Sequence, residues 1–143
     1  MINFDKAVEW ILKWEGGDKI TNDPNDRGKL TKYGISQKSY PKYDIKKLTL
    51  PEAKTIYKRD YWDKIDGDKI DPKRAMALFN AAVNQGVGRA SIYAATTQSW
   101  QDVIVACEDK YRRIVVANPT QKKFLKGWLN RLDDLKTFIE KES

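Results

Sequence analysis

Glu15 is the residue around which chemistry can be built. It stands between Trp14 and the pair Gly16-Gly17, and it continues an apolar series of Phe4, Val8 and Ile11 at spacings of four, three and four residues. A carboxylate on the apolar face of a helix breaks the local rule. Burial disfavours its charged form and raises its pKa, which is what a general acid needs near neutral pH. A glutamate at a helix C-terminus also opposes the helix dipole. The two glycines keep side chains away and leave room for a large substrate. The stretch that follows supplies Asp18, Asp23 and Asp26, and then the hydroxyl of Thr31. Hydrolysis of a glycosidic bond commonly uses two carboxylates flanking the scissile bond: one protonates the leaving oxygen and the other activates water, attacks, or steadies an oxocarbenium ion. Thr31 fits the task of orienting a water molecule. The same residues also have a plainer reading, in which Glu15 reaches water at the helix end and the aspartates cap turns.

Composition narrows the alternatives. The chain has 143 residues, no histidine and a single cysteine, Cys107. Histidine triads, histidine-dependent zinc sites, Cys₄ sites and an internal disulfide are therefore excluded. Catalysis has to rest on carboxylates, hydroxyls, lysines or tyrosines, and no cofactor or metal is expected. The net charge of +7 suits nucleic acid, an anionic membrane surface or an anionic cell wall, or serves solubility alone. No run approaches the roughly 18 apolar residues of a membrane span, so stable membrane insertion is not expected. The N-terminus has no basic region followed by an apolar one. The expectation is synthesis in the cytoplasm without a signal peptide.

The elements that position these residues read as mostly helical. A helix is expected over residues 3–14, capped by Asn3 and stopped by Gly16-Gly17. Residues 18–41 are dense in turn formers and suggest an irregular segment or a short β-hairpin. Thr49-Leu50-Pro51-Glu52 reads as a capping box opening a helix that ends near Trp62. Asp71-Pro72 opens another, with Ala75, Met76, Phe79, Ala82 and Val83 inward and Asn84-Gln85-Gly86 at its close. A shorter helix over residues 88–99 and a longer one starting at Trp100 follow, and Asn118-Pro119 breaks the longer one. Phe124, Leu125, Trp128, Leu132, Leu135 and Ile139 give the inner face of a last helix over residues 120–140. A single mostly α domain over residues 1–143 is expected, with the irregular or hairpin segment after the first helix.

Other polar and aromatic residues have two readings each. Asn80, Asn84 and Gln85 could bond sugar hydroxyls and N-acetyl groups, or cap helices and bond within the core. Tyr33, Tyr61, Trp62 and Trp128 could stack on sugar rings. Trp128 falls squarely in the stripe of the last helix and reads as core, while Tyr33 and Trp62 stay open. Cys107 reads as a buried structural thiol.

Several separated segments carry a resemblance. Trp14-Glu15-Gly16-Gly17, Asn22-Asp23-Pro24-Asn25-Asp26-Arg27-Gly28 and Leu30-Thr31-Lys32-Tyr33-Gly34-Ile35 resemble glycoside hydrolase family 108, lysozyme-like N-acetylmuramidases that are often phage endolysins. Glu52-Ala53-Lys54, Arg59-Asp60-Tyr61-Trp62, Phe79-Asn80-Ala81-Ala82-Val83-Asn84 and Phe124-Leu125-Lys126-Gly127-Trp128-Leu129-Asn130-Arg131 continue it in order. The resemblance implies a lysozyme-like fold and cleavage of the β-1,4 bond between N-acetylmuramic acid and N-acetylglucosamine. It maps the catalytic glutamate of the Glu-Gly-Gly motif onto Glu15. By analogy with phage-type lysozymes, Asp23 and Thr31 become the second and third catalytic members, with Asp26 the rival of Asp23. Asp26, Tyr33, Trp62, Asn80, Asn84 and Gln85 are then candidate substrate-binding residues. The sequence departs from the pattern at Asp18, where an aromatic is usual, and at Gly28-Lys29, where a glycine pair is usual. Residues 86–105 also lack the Asp-Gly-x-x-Gly-Pro stretch of many relatives.

The leading expectation is thus a monomeric, cofactor-free peptidoglycan hydrolase whose partners are glycan strands, released through a holin or exported by a dedicated machine. The competing expectations are a non-catalytic wall- or glycan-binding protein on the same scaffold and a basic nucleic-acid module. The spread of basic residues along the chain and the absence of a recognition motif count against nucleic acid.

Overall fold

Asn3 starts the first helix as its spacing predicts. Its side-chain oxygen accepts the Lys6 amide at 3.0 Å, opening α1 over Phe4–Trp14. These contacts come from a computed structural model that describes residues 1–22 and 30–142. Ala7, Val8 and Ile11 on α1 are wholly buried. Glu15 caps the helix. Gly16 and Gly17 then turn the chain with φ of 87° and 58°, and the Gly17 amide reaches back to the Leu12 carbonyl at 2.9 Å. That six-to-one bond is the Schellman stop, and it needs a residue in the left-handed region just past the cap.

The segment after α1 is a small antiparallel sheet of β1 (Thr21–Asn22), β2 (Leu30–Lys32) and β3 (Ile35–Ser36), in that order. Thr21 pairs with Thr31, and Lys32 with Ile35. Only Tyr33 and Gly34 lie between β2 and β3, with φ of 55° and 77°. Positive φ at both residues is the two-residue hairpin turn whose twist matches the strands. Gly34 tolerates it freely, whereas Tyr33 is strained there and must be held. The holding is visible: the Tyr33 amide donates to the Gly17 carbonyl at 3.1 Å, and its carbonyl accepts the Tyr57 hydroxyl at 2.6 Å.

Tyr57 ends α2 (Leu50–Tyr57), which Thr49 and Glu52 open with a reciprocal capping box. The chain continues through a π-helical turn, Lys58–Trp62, and a 3₁₀ turn to Ile65. Then α3 (Pro72–Gln85) runs through the middle of the molecule, and every residue from Ala75 to Ala82 is buried. A helix apolar all round belongs inside, and its alanines let neighbouring helices approach closely. Around it pack α4 (Val87–Thr96), α5 (Trp100–Ala117) and α6 (Lys122–Glu142). Cys107 of α5 is buried, and burial pushes its thiol up to about 12. We expect folded protein at pH 8 to resist iodoacetamide and denatured protein to be alkylated fully, read by mass. Rapid labelling of the folded chain would show α5 to be loosely packed.

Four contacts fix α6 beside α1. Lys6 pairs with Glu142 at 3.2 Å, and the Trp10 ring meets Phe138 at 6.1 Å. The indole N–H groups of Trp10 and Trp14 both donate to Asp134, at 3.1 and 2.7 Å. As α1 advances α6 retreats, so the two helices run antiparallel. The next contact along this register joins the residue after Trp14 to the α6 residue one turn before Asp134: Glu15 meets Arg131.

Candidate active site

Glu15 projects from the end of α1 into the junction of the hairpin, α3 and α6. Its side chain is 24% exposed and Arg131 is 8% exposed, and their Oε1 and Nη1 atoms stand 2.9 Å apart. Arg131 Nε donates to Asn80 Oδ1 at 2.9 Å, and its guanidinium lies 5.6 Å from the centre of the Trp10 ring. One guanidinium thus ties the cap of α1 to the middle of α3. Glu15 Oε2 has no protein partner among the described residues. The carboxylate is anchored to Arg131 through Oε1.

The hairpin presses on the other side of Glu15. A Cβ built on Gly34 would stand 2.7 Å from Glu15 Cβ and 2.6 Å from the Tyr57 hydroxyl. Real Cβ atoms do not come so close, so glycine is required here for space as well as for its φ. The Tyr57 phenol is pushed up, first by its burial and then by the nearby Glu15 carboxylate, so it remains a donor. We expect Gly34→Ala to displace Glu15, to cost about 1–3 kcal/mol of stability and to lower turnover with it. Thermal melting beside a turnover assay checks this. Wild-type values in both would mean that the turn does not press on Glu15.

The other predicted positions divide. Thr31 sits at the centre of β2, half-buried, paired on both sides with Thr21 and Ser36. Tyr33 is half-buried and lines a cavity of 370 Å³ with Glu9, Leu12, Gly17, Asp18, Leu50 and Lys54. Asp23 and Asp26 lie outside the described residues. Trp62 is corrected: it is 2% exposed, its N–H donates to Asp68 at 2.9 Å, and its ring packs edge-on against Phe79 at 5.1 Å. Gly67 lies directly against the indole, where any Cβ would clash. The π-helical turn adds a residue to the helical repeat and swings Trp62 inward. No sugar ring can reach it.

Asn80 is corrected as well. It is completely buried and serves Arg131, so it acts on the site through that side chain rather than by touching a ligand. Gln85 uses both ends of its amide within the protein, accepting from the Tyr93 hydroxyl at 2.5 Å and donating to the Cys107 carbonyl at 3.2 Å. It joins α3, α4 and α5 instead of facing a sugar. Asn84 accepts the Tyr111 hydroxyl through Oδ1, and its Nδ2 has no protein partner among the described residues. Trp128, expected in the core, is only half-buried and stacks on Tyr111 at 4.9 Å.

Arg131 escaped the sequence reading although it closes the quoted C-terminal segment. The usable signal was an arginine directly before Leu132 and one turn before Leu135 of the buried stripe, a charge placed where the helix faces inward. Among the described residues, no group of three or more acidic or cysteine side chains could hold a metal ion.

The profile of the family described as Glycosyl hydrolase 108 matches residues 8–86, more than half of the chain. That segment carries the second half of α1, Glu15, the hairpin, α2 and α3. The chain belongs to glycosyl hydrolase family 108. As a member of family 108 it is a glycosidase whose partner is a glycan. The solved structure of Brucella abortus SagA shares its fold, with a TM-score of 0.73 over 95% of this chain and 92% of that one, at 23% identity. The molecule is therefore a lysozyme-like, mostly α domain, as expected from its sequence. No curated protein matches the sequence. In this family member the partner of Glu15, Arg131, comes from beyond the matched segment.

Proposed function

We propose that the chain is a peptidoglycan muramidase, a single domain that cuts the β-1,4 bond between N-acetylmuramic acid and N-acetylglucosamine with Glu15 as general acid. The observation that carries this is the state of Glu15: a quarter exposed, anchored through Oε1 by a buried guanidinium, with Oε2 unpartnered among the described residues. Oε2 is the oxygen that would carry the proton to the leaving glycosidic oxygen. Fixing Oε1 limits the orientations open to Oε2 and so positions the group that delivers the proton. The second carboxylate, from Asp23 or Asp26, activates water or steadies the developing cation, and Thr31 orients the water from β2. The +7 charge steers the enzyme to an anionic wall. No described helix is long and apolar enough to cross a membrane, and we read export as the work of a holin or a secretion machine. Membership of a glycosidase family and a carboxylate held in this way support catalysis over a purely binding role.

Reducing-end analysis tests the reaction. Purified peptidoglycan digested by the protein should yield fragments ending in reducing N-acetylmuramic acid, identified by mass after borohydride reduction. Fragments ending only in reducing N-acetylglucosamine would assign the protein to the other glycosidic bond of the strand. Intact strands would remove the proposed activity.

A further inference from the structure

Three rings stand in a row outside the chemistry assigned so far. Tyr111 of α5 stacks on Trp128 of α6 at 4.9 Å and 21°, and Trp128 meets Phe124 at 5.9 Å and 31°. Phe124 is 46% exposed and Trp128 half-buried, and Lys123 Nζ stands 5.2 Å from the centre of the Phe124 ring. Phe124, Trp128 and Arg131 follow one another at spacings of four and three, so they share one stripe of α6. The stripe rises ~10 Å from Phe124 to Arg131, the scale of a disaccharide, and ends at the side chain that holds Glu15. Its inner end is polar: Tyr111 donates to Asn84, one turn along α3 from the Asn80 that holds Arg131.

The indole N–H groups divide the tryptophans: Trp128, like Trp100 at the start of α5, lacks the aspartate partner that the other three have. Those of Trp10, Trp14 and Trp62 each donate to an aspartate. That of Trp128 has no partner among the described residues, and neither has the Asn84 amide nitrogen. Two free donors and exposed aromatic carbon, in line with the proposed acid, match the chemistry of an N-acetylated pyranose. Its C–H face packs on aromatic rings, and its hydroxyls and acetamido carbonyl accept hydrogen bonds. A purely apolar protein partner would leave those donors unsatisfied.

We propose that Phe124, Trp128 and Asn84 form a saccharide-binding strip that carries the units of the glycan strand extending from Glu15 along α6. The proposal rests on the glycan-cleaving function above and adds where the strand lies. Lys123 beside the strip favours a strand bearing carboxylates, as peptidoglycan does.

The test separates binding from cleavage. Calorimetry of the Glu15→Gln protein with N-acetylchitotetraose and with the disaccharide reads the strip without turnover. Trp128→Ala and Phe124→Ala should each weaken the tetramer about tenfold and leave the disaccharide unchanged. In the active protein they should raise KM for long strands more than they lower kcat. Val116→Ser, at an exposed apolar residue on another face of α5, should change neither. Trp128→Phe keeps the ring stack but removes the N–H, so an intermediate loss would assign both contributions. Phe124→Ala carries the test alone if Trp128→Ala fails to fold by circular dichroism. Unchanged tetramer affinity and KM in an enzyme that still cleaves would overturn the strip and leave the function standing. A shift in sedimentation instead of affinity would show that the rings contact a second copy, and would also overturn it. Loss of all saccharide binding and all cleavage in the wild type would remove the function and the strip together.

Discussion

Glu15→Gln is expected to cut turnover on peptidoglycan about 10³-fold, within the range general acid catalysis supplies. Glutamine has nearly the same shape and keeps an acceptor oxygen for Arg131 Nη1, so the ion-pair geometry becomes a hydrogen bond and the fold survives. What disappears is the proton on the second oxygen. Circular dichroism should be unchanged while clearing of wall suspensions stops. Glu15→Asp should also be nearly inactive. Its carboxyl is drawn back by one methylene, and it loses either Arg131 or its reach to the glycosidic oxygen, since small misplacements at the reacting atoms are costly. An active Glu15→Gln enzyme would remove Glu15 from the chemistry. The hairpin contact, the Arg131 pair and the strip along α6 would then need another purpose.

Arg131→Ala should have the largest effect on stability. The guanidinium is almost fully buried and serves two partners, Glu15 Oε1 and Asn80 Oδ1, at 2.9 Å each. Truncation leaves a largely buried carboxylate and a buried amide without their donor. Breaking one side of a fully buried pair typically costs ~3–5 kcal/mol, and with Glu15 24% exposed the lower end, about 3 kcal/mol, is expected. For a chain of this size that is a fall in melting temperature of roughly 10 °C. Activity should fall as well, because Glu15 loses its anchor. Arg131→Lys tests geometry apart from charge. A single ammonium cannot span Glu15 and Asn80 with the fixed fork of a guanidinium, so stability and turnover should recover only in part. In the double variant Glu15→Gln/Arg131→Ala the losses should not add, because both substitutions act on the same pair. A wild-type melting temperature for Arg131→Ala would mean that the pair contributes nothing to holding the junction.

Much of the fold could be read from local chemistry. Asn3, Thr49 with Glu52, Asp71 and the Gly16-Gly17 stop are cap signals that act within one helical turn, and all of them operate as expected. The place of Glu15 at the end of α1 was legible for the same reason, because its position on a stripe and before two glycines is a local fact. The hairpin was only half legible. Its turn places Tyr33 at positive φ, against that residue's own preference, and long-range bonds from Gly17 and Tyr57 make up the difference. Arg131 was illegible as a partner, since 116 residues separate it from Glu15 and only the antiparallel register of α1 and α6 joins them. The tryptophans show the limit of periodicity. Trp62 looked open and is core, because a π-helical turn changes the repeat that the stripe assumed. Trp128 looked like core and is half-buried, packed against the core's edge, because a stripe does not say where the neighbouring helices end.

Proton donation by Glu15 is tested most directly by changing how much the leaving group needs a proton. Wild type and Glu15→Gln would be compared on two chito-oligosaccharide glycosides, one with a sugar as leaving group and one with dinitrophenolate, which departs without protonation. If Glu15 is the acid, the ~10³-fold deficit of the variant on the sugar substrate shrinks to a few-fold on the dinitrophenyl one. An equal deficit on both substrates would contradict proton transfer by Glu15 and reduce it to a residue that holds the hairpin and Arg131 in place.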